Sequence, residues 1–190
     1  IKGWRTIWNK PELPFYFVQI APYQYGNDAP GELPVLWEAQ TNVLSLPHTG
    51  MAVVTDVGNL KNIHPANKQD AGKRLALWAL AKDYGQKELV YSGPLYKGMK
   101  TEGKKIRVYF DHVGSGLAAR DGKALDSFTI AGQDGKFFEA TATIDENTIV
   151  VSSPDVSEPK AVRFGWHKLA NPNLMNKNGL PASPFRSDKP

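Results

Sequence analysis

The sequence predicts two regions of different fold class: an α/β region with a parallel sheet (residues 1–87) and an all-β, sandwich-like region (residues 88–190). In the first region, short apolar runs typical of buried strands alternate with segments of helical periodicity. In the second, apolar and polar residues alternate over short segments that are separated by turn dipeptides. Alternating strands and helices favour right-handed crossovers and a parallel sheet, whereas closely spaced short strands favour a β-sandwich.

Two strands and two helices are predicted in the first region. Residues 15–20 and 51–54 form short apolar runs, rich in aromatic or β-branched side chains, that are typical of buried strands. Residues 33–44 and 66–84 carry apolar side chains at helical spacing, and Gly85 follows the second helix where a C-terminal cap belongs. Because two strands are too few for a complete parallel sheet, we expect the remaining strands to come from outside this chain.

The second region is predicted to contain short strands joined by tight turns. The predicted strands have strict alternation or a β-branched run, and they cover residues 106–110, 138–144 and 149–151. Asp121-Gly122 and Asp134-Gly135 are predicted to form hairpin turns, because glycine accepts a positive φ at no steric cost. Residues 171–190 are rich in Asn, Pro and Lys, and we expect this tail to be irregular and to follow the surface.

Composition excludes several classes of protein. Of the 190 residues, 41% are hydrophobic and 22% charged, and no apolar run approaches the ~18 residues that span a bilayer, so no membrane span is expected. The absence of cysteine excludes disulfides, thiolate nucleophiles and cysteine zinc sites. The net charge of +4 comes from scattered cations without a basic stripe, so nucleic acid is not an expected partner. The start at Ile1 shows neither an initiator methionine nor a signal pattern, and predicts a processed product, an isolated domain or a proteolytic fragment.

His64 is the candidate general base. It lies in the loop between a predicted parallel strand and a predicted helix, and ligands of open α/β sheets bind at the carboxyl ends of strands. Histidine changes its charge near neutral pH, and the start of the following helix disfavours the imidazolium form. Asp56 ends the same strand and is positioned to accept the ring N–H and fix the tautomer. The alternative interpretation is a helix-entry histidine beside an exposed loop aspartate.

The other histidines are weaker candidates. His48 and His167 have ordinary polar or aromatic neighbours, which favour a surface or packing role. His112 precedes Gly114-Ser115-Gly116, but a nucleophile elbow needs Gly-x-Ser-x-Gly between a strand and a helix. This segment is therefore predicted to be a turn.

Two segments, MAVVTD at residues 51–56 and NIHPANKQDAGKRLAL at residues 62–77, resemble the final catalytic block of the sialate O-acetylesterases, which belong to the wider SGNH hydrolases. Further stretches similar to that family are spread along the chain, at residues 14–19, 37–40, 92–96 and 178–185. The resemblance therefore extends nearly from end to end. It implies the C-terminal portion of the esterase, namely the end of a three-layer SGNH-type α/β catalytic domain followed by an accompanying β-sandwich.

The resemblance also implies hydrolysis of acetyl esters on sugars by a serine nucleophile, without a metal or other cofactor. His64 corresponds to the catalytic base. In that family the serine lies upstream in a Gly-Gln-Ser-Asn-like turn, which this chain lacks. We therefore expect an N-terminal segment or a second chain to supply the serine, and this chain alone to be inactive. A secreted or periplasmic location is implied by the substrate class, and the particular acetylated sugar (sialic acid, xylan or another glycan) stays open.

The acid that orients His64 is not fixed by the resemblance. Many SGNH enzymes carry Asp three residues before the histidine, but Lys61 stands there in this chain. Asp56 is the nearest acidic candidate, and a backbone carbonyl is the alternative. Glu38 and Gln40 lie in a stretch shared with the family, and are expected either to border the substrate pocket or to occupy the helix surface.

Two further hypotheses belong to other classes. The second region could be a non-catalytic carbohydrate-binding or structural β-sandwich, with Trp166, Tyr109 or Phe164 stacking on a sugar ring, although aromatic residues of sandwiches more often fill the core. The chain could also be one of the two polypeptides of a split enzyme, because unpaired parallel strands expose edges and apolar faces that are poorly tolerated.

Overall fold

The computed structural model describes residues 1–26 and 29–188, and its first part is a mixed α/β unit. The elements in chain order are α1 (Lys2–Ile7), β1 (Phe15–Val18), α2 (Glu32–Asn42), β2 (Thr49–Ala52) and α3 (Lys68–Lys82). β1 and β2 pair in parallel, with Phe15 opposite Thr49. The predicted order of strand, helix, strand and helix is confirmed, and α1 is an addition that the sequence analysis did not predict.

Local chemistry explains where the two long helices begin and end. α3 begins at Lys68 rather than at residue 66, because the Asn67 side chain caps it by accepting from the Asp70 backbone N–H at 3.1 Å. α2 ends at Asn42 and tightens into a 3-10 turn, Val43–Ser45. These are shifts of boundary and not of element type.

α3 packs on the β1–β2 sheet through Trp78. This side chain is buried, and its Nε1 donates to the Met51 carbonyl at 2.9 Å. The contact needs glycine at position 50, because a Cβ there would lie 2.5 Å from the Trp78 ring. The glycine in the second strand therefore permits the close helix–sheet approach.

The second part is built from antiparallel sheets. Its strands are β3 (Leu95–Glu102), β4 (Lys105–Asp111), β5 (Leu117–Ala119), β6 (Phe128–Ala131), β7 (Phe137–Glu139), β8 (Thr141–Asp145), β9 (Thr148–Ser152), β10 (Ala161–Phe164), β11 (Leu174–Asn176) and β12 (Phe185–Arg186). They form two four-stranded sheets, β3-β4-β9-β8 and β12-β10-β6-β7, and a β11–β5 pair. The two larger sheets share one buried cluster, to which β4 contributes Ile106 and Val108 and β10 contributes Val162 and Phe164.

The prediction of a single strand at residues 138–144 is wrong. The segment contains β7 and β8, which pair with β6 and β9 in different sheets. The chain crosses between the sheets at Ala140, whose N–H donates to the Phe128 carbonyl at 3.1 Å. Alternation of apolar and polar residues continues through the crossing, so periodicity alone cannot reveal it.

The two predicted hairpin turns have different outcomes. Gly135 has a φ of 70° and lies between the paired strands β6 and β7, which confirms the hairpin at Asp134-Gly135. Gly122 has a φ of 69°, but β5 and β6 belong to different sheets. Asp121-Gly122 is therefore a turn, and the prediction of a hairpin there is wrong.

The predicted surface position of the tail is wrong for much of its described part, residues 171–188, although most of this segment lies outside strands. This segment supplies β11 and β12, and Asn176 is fully buried. The Asn176 amide donates to the carbonyls of Ser92 and His112 at 3.0 and 3.2 Å, and its Oδ1 accepts from the Leu180 N–H at 3.0 Å. A polar side chain with all these partners can be buried at little cost, which composition does not reveal.

The end of the chain returns to the first part. The buried Gln19 Nε2, just beyond β1, donates to Ser183 Oγ at 3.0 Å. A Cβ on Gly93 would overlap the Pro181 carbonyl, so the two backbones meet directly there. Division of the chain at residue 88 stays a prediction, and the Gln19–Ser183 hydrogen bond joins its two sides. Among the described residues, the longest apolar stretch of helix falls short of what crossing a bilayer requires.

Candidate active site

The chain beyond β2 carries a buried ion pair. Asp56 Oδ1 and Oδ2 accept from Arg74 Nη1 and Nη2 at 2.6 and 2.7 Å, and Nη1 also donates to the Val53 carbonyl at 2.7 Å. The Arg74 and Asp56 side chains are only 9% and 11% exposed. Bidentate, charge-assisted hydrogen bonds shielded from water are among the stronger polar contacts in proteins. The pair therefore fixes the end of β2 against α3.

His64 lies further along this loop, exposed and just before α3. Two asparagines shape the backbone around it. Asn59 Oδ1 accepts from the N–H groups of Lys61 and Asn62, and Asn62 Oδ1 accepts from the His64 N–H at 2.9 Å. Such side-chain-to-backbone turns hold a loop in place without burying it. The imidazole is thus presented at the carboxyl edge of the β1–β2 sheet.

The structure gives Asp56 a partner that the sequence analysis missed. In the chain outside residues 27, 28, 189 and 190, the hydrogen bonds of the Asp56 carboxylate go to Arg74 and none goes to His64. One signal was available: Arg74 stands four residues before the buried Trp78 and so shares its helix face. A cation on a buried face needs a partner. The expected role of Asp56 in orienting His64 stays a prediction.

Glu38 and Gln40 hold helix α2 in place. Both Glu38 oxygens accept from Arg186, at 3.0 and 2.8 Å, which ties α2 to β12. Gln40 Oε1 accepts from the Ile20 N–H at 3.1 Å, and its Nε2 donates to the Val18 carbonyl at 3.4 Å. These contacts favour the helix-surface alternative, and the expected role in the substrate pocket stays a prediction.

A pocket of about 340 Å³ lies beside the ion pair, between α3 and the β11 segment. Asp56, Lys73 and Arg74 line one side, and Arg120 and Leu180 lie among the lining residues of the other. This mixture of charged and apolar surface is typical of a site for a polar organic ligand. His64, Glu38 and Gln40 are not among its lining residues.

The remaining candidates have structural surroundings. The Ser115 N–H donates to Asn178 Oδ1 at 3.0 Å, and the glycines on either side of Ser115 have φ values of 56° and 117°, which confirms the predicted turn. Phe164 is fully buried, so its proposed stacking on sugar is wrong. Trp166 is half-buried, with the Arg186 guanidinium 5.1 Å from its ring centroid. In residues 1–26 and 29–188 no three His, Asp or Glu side chains are grouped so as to hold a metal ion.

Comparison with known proteins gives the family. No protein-family model matches the chain. The chain is 27% identical over 187 residues to a Rattus norvegicus protein named sialate O-acetylesterase, covering 87% of this chain and 34% of that protein. It is 36% identical over 95 residues to a Mus musculus protein of the same name, covering 45% of this chain and 18% of that protein.

A solved structure is similar over nearly the whole chain. It is the crystal structure of a novel carbohydrate acetylesterase from Xanthomonas citri, with a TM-score of 0.94 and 43% identity, and the match covers 99% of this chain and 44% of that one. These proteins to which the chain is similar are all named as acetylesterases. More particularly, the chain belongs to the sialate O-acetylesterase family. It spans less than half the length of each of these relatives.

Proposed function

We propose that this chain is part of a serine carbohydrate O-acetylesterase that removes acetyl groups from sugars, and that it supplies His64 as the catalytic base. The nucleophilic serine lies in another segment of the same polypeptide or in a partner chain. One observation carries the proposal: the close structural match to a carbohydrate acetylesterase, which covers 99% of this chain but only 44% of that enzyme. A secreted or periplasmic location, where glycans are found, is part of the same proposal.

The proposed architecture is the C-terminal part of a three-layer SGNH-type domain followed by a β-sandwich. The parallel β1–β2 pair with α3 packed on it is consistent with the end of such a domain. The two four-stranded sheets that share one apolar cluster are consistent with the sandwich.

Exposed apolar side chains support a missing segment. Trp4, Ile7 and Trp8 on α1 are 51%, 76% and 56% exposed. The Trp4 ring lies 5.2 Å from Phe15 on β1, so this apolar surface continues onto the sheet. Contiguous exposed apolar surface of this kind usually marks a place where another polypeptide docks.

The chemistry that fits His64 is acyl transfer in two steps. In the first, the His64 imidazole takes the proton of the serine hydroxyl as the serine oxygen attacks the acetyl carbonyl; His64 then gives that proton to the departing sugar oxygen. In the second, His64 takes a proton from water, the hydroxide attacks the acetyl-enzyme, and the proton returns to serine as acetate leaves. Exposure of His64 at the sheet edge leaves its ring accessible to a serine from another segment.

Within this proposal, Asp56 acts as a positioning residue. Both its oxygens accept from Arg74, and Arg74 also holds the Val53 carbonyl. This contact fixes the start of the loop that carries His64. Glu38 and Gln40 also act as positioning residues. Glu38 holds α2 through Arg186, and Gln40 holds it against the chain just after β1, at the edge of the sheet next to the site.

The test is release of acetate from O-acetylated sialic acid and from acetylated xylo-oligosaccharides. The complete esterase, meaning the polypeptide or complex that contains residues 1–190, should release acetate, and the 190-residue chain alone should not exceed the uncatalysed rate. Equal release by the chain alone would contradict the placement of the serine. No release by the complete protein from either substrate would contradict the esterase function itself.

A further inference from the structure

A second pocket lies at the opposite edge of the β1–β2 sheet. Its volume is about 430 Å³, and its lining residues include Tyr16 near the start of β1 and Thr49 at the start of β2. Because the two strands run parallel, this edge faces away from the loop after β2 that carries His64. The second pocket is therefore separate from the candidate active site.

One wall of the second pocket is an aromatic cluster of Trp78, Tyr91 and His112. The Tyr91 ring centroid lies 4.6 Å from Trp78 and 5.2 Å from His112. His112 has a φ of 61°, a backbone conformation that costs a non-glycine residue about 1 kcal/mol or more. The packing of its ring on these two neighbours holds it there.

Polar groups without hydrogen-bond partners converge on this wall. The Lys82 ammonium lies 4.4 Å from the Tyr91 ring centroid. In the part of the chain that the structure describes, no hydrogen bond involves the Tyr91 hydroxyl, the Lys82 ammonium or the His112 ring. Burial is the main cause that lowers the pKa of His112, and Lys82 lowers it further while Asp111 opposes the shift. The neutral imidazole then offers one donor and one acceptor.

The rest of the lining is mostly apolar. Leu44, Leu46, Pro47 and Leu95 face the same space, and Tyr16 contributes its half-buried ring. The Tyr16 hydroxyl donates to Asp83 Oδ2 at 2.6 Å, so the Asp83 carboxylate lies next to a lining residue. The pocket thus combines apolar surface with donors and acceptors, and this carboxylate disfavours an anionic ligand.

We propose that this second pocket binds a neutral pyranose sugar residue, with the C–H face of the ring on the apolar lining and the hydroxyls on Lys82, Tyr91 and His112. Sugar hydroxyls need both donors and acceptors, which these three side chains supply. A single cation without a cluster of N–H groups is a poor match for phosphate. Binding here requires neither His64 nor a serine, so the site goes beyond the proposed esterase function.

The test is an NMR titration of the isotope-labelled complete esterase with xylotriose, diacetylchitobiose and lactose, and separately with N-acetylneuraminic acid. At least one neutral sugar should give saturable shifts that include the His112 ring signals, and the acidic sugar should bind more weakly. No saturable shift with any neutral sugar, or binding of the acidic sugar alone, would overturn the proposal. The esterase assay has no bearing on this result, because the titration needs no catalysis.

Two conservative variants locate the binding. Tyr91→Phe removes one hydroxyl and Lys82→Met removes one charge, while the packing surface is kept in both. Each should weaken sugar binding by about three- to tenfold, the effect of one hydrogen bond, without changing the melting temperature. The matched control is Tyr84→Phe, at a tyrosine that is 74% exposed and outside the pocket lining. Unchanged affinity in both variants would show that the sugar binds elsewhere.

Discussion

Replacing His64 with alanine in the complete esterase is expected to lower kcat for acetate release by about 10³-fold or more, with little change in KM. The reason is that, in the proposed mechanism, the same imidazole moves the proton in both steps of acyl transfer. A loss that falls on kcat marks an interaction made in the transition state and not in substrate binding. Because the His64 side chain is exposed, its removal should leave the free energy of unfolding within about 0.5 kcal/mol of the starting value.

The control for this experiment is His167→Ala. His167 is also exposed, and its Nδ1 accepts from the Leu169 N–H at 3.1 Å in the β-rich part of the chain. This variant should retain its activity. Near-normal turnover in His64→Ala would show that His64 is not the catalytic base.

Replacing Arg74 with methionine is expected to lower the free energy of unfolding by about 3–5 kcal/mol. The substitution keeps an apolar stem but leaves the Asp56 carboxylate buried without its partner, and an uncompensated buried charge is costly. The Val53 carbonyl loses its hydrogen bond in the same variant. Urea unfolding of the 190-residue chain measures the change.

Two further variants separate the ion pair from general damage to α3. Lys73→Met, at the exposed neighbouring residue, should change the free energy of unfolding by no more than about 0.5 kcal/mol. The double variant Asp56→Leu/Arg74→Met should recover much of the loss, because an apolar pair leaves no charge stranded. Equal stability of Arg74→Met and the unaltered chain would contradict the anchoring role given to this pair.

The helices α2 and α3 and the strands β1 and β2 could be predicted from the sequence, because the spacing of apolar residues within each segment indicates its type. α2 and α3 carry apolar faces at helical spacing; β1 lies within the predicted apolar run at residues 15–20, and β2 overlaps the one at residues 51–54. The crossing at Ala140 could not be predicted, since β7 and β8 continue one alternating pattern while pairing in different sheets. Burial of the tail could not be predicted from the sequence either, because it depends on backbone partners of Asn176 that are distant in sequence.

In the candidate site, too, the sequence identifies one residue and does not reveal the partners of the others. His64 stands out by its position between a strand and a helix and by the segment around it. The partners of the other candidates are remote in sequence: Arg74 lies 18 residues from Asp56, and Arg186 lies 148 residues from Glu38. The sequence indicates that Arg74 needs a partner but does not identify Asp56 or pair Arg186 with Glu38, so these contacts had to come from the three-dimensional structure.

Covalent labelling of the complete esterase with a fluorophosphonate, which reacts with an activated serine hydroxyl, tests whether His64 activates a serine outside this chain. Digestion and mass spectrometry then locate the labelled residue. We expect a label on a serine outside residues 1–190, and no label when His64 is replaced by alanine. A label on a serine inside this chain, Ser115 for instance, would contradict this expectation, as would full labelling of the His64→Ala variant.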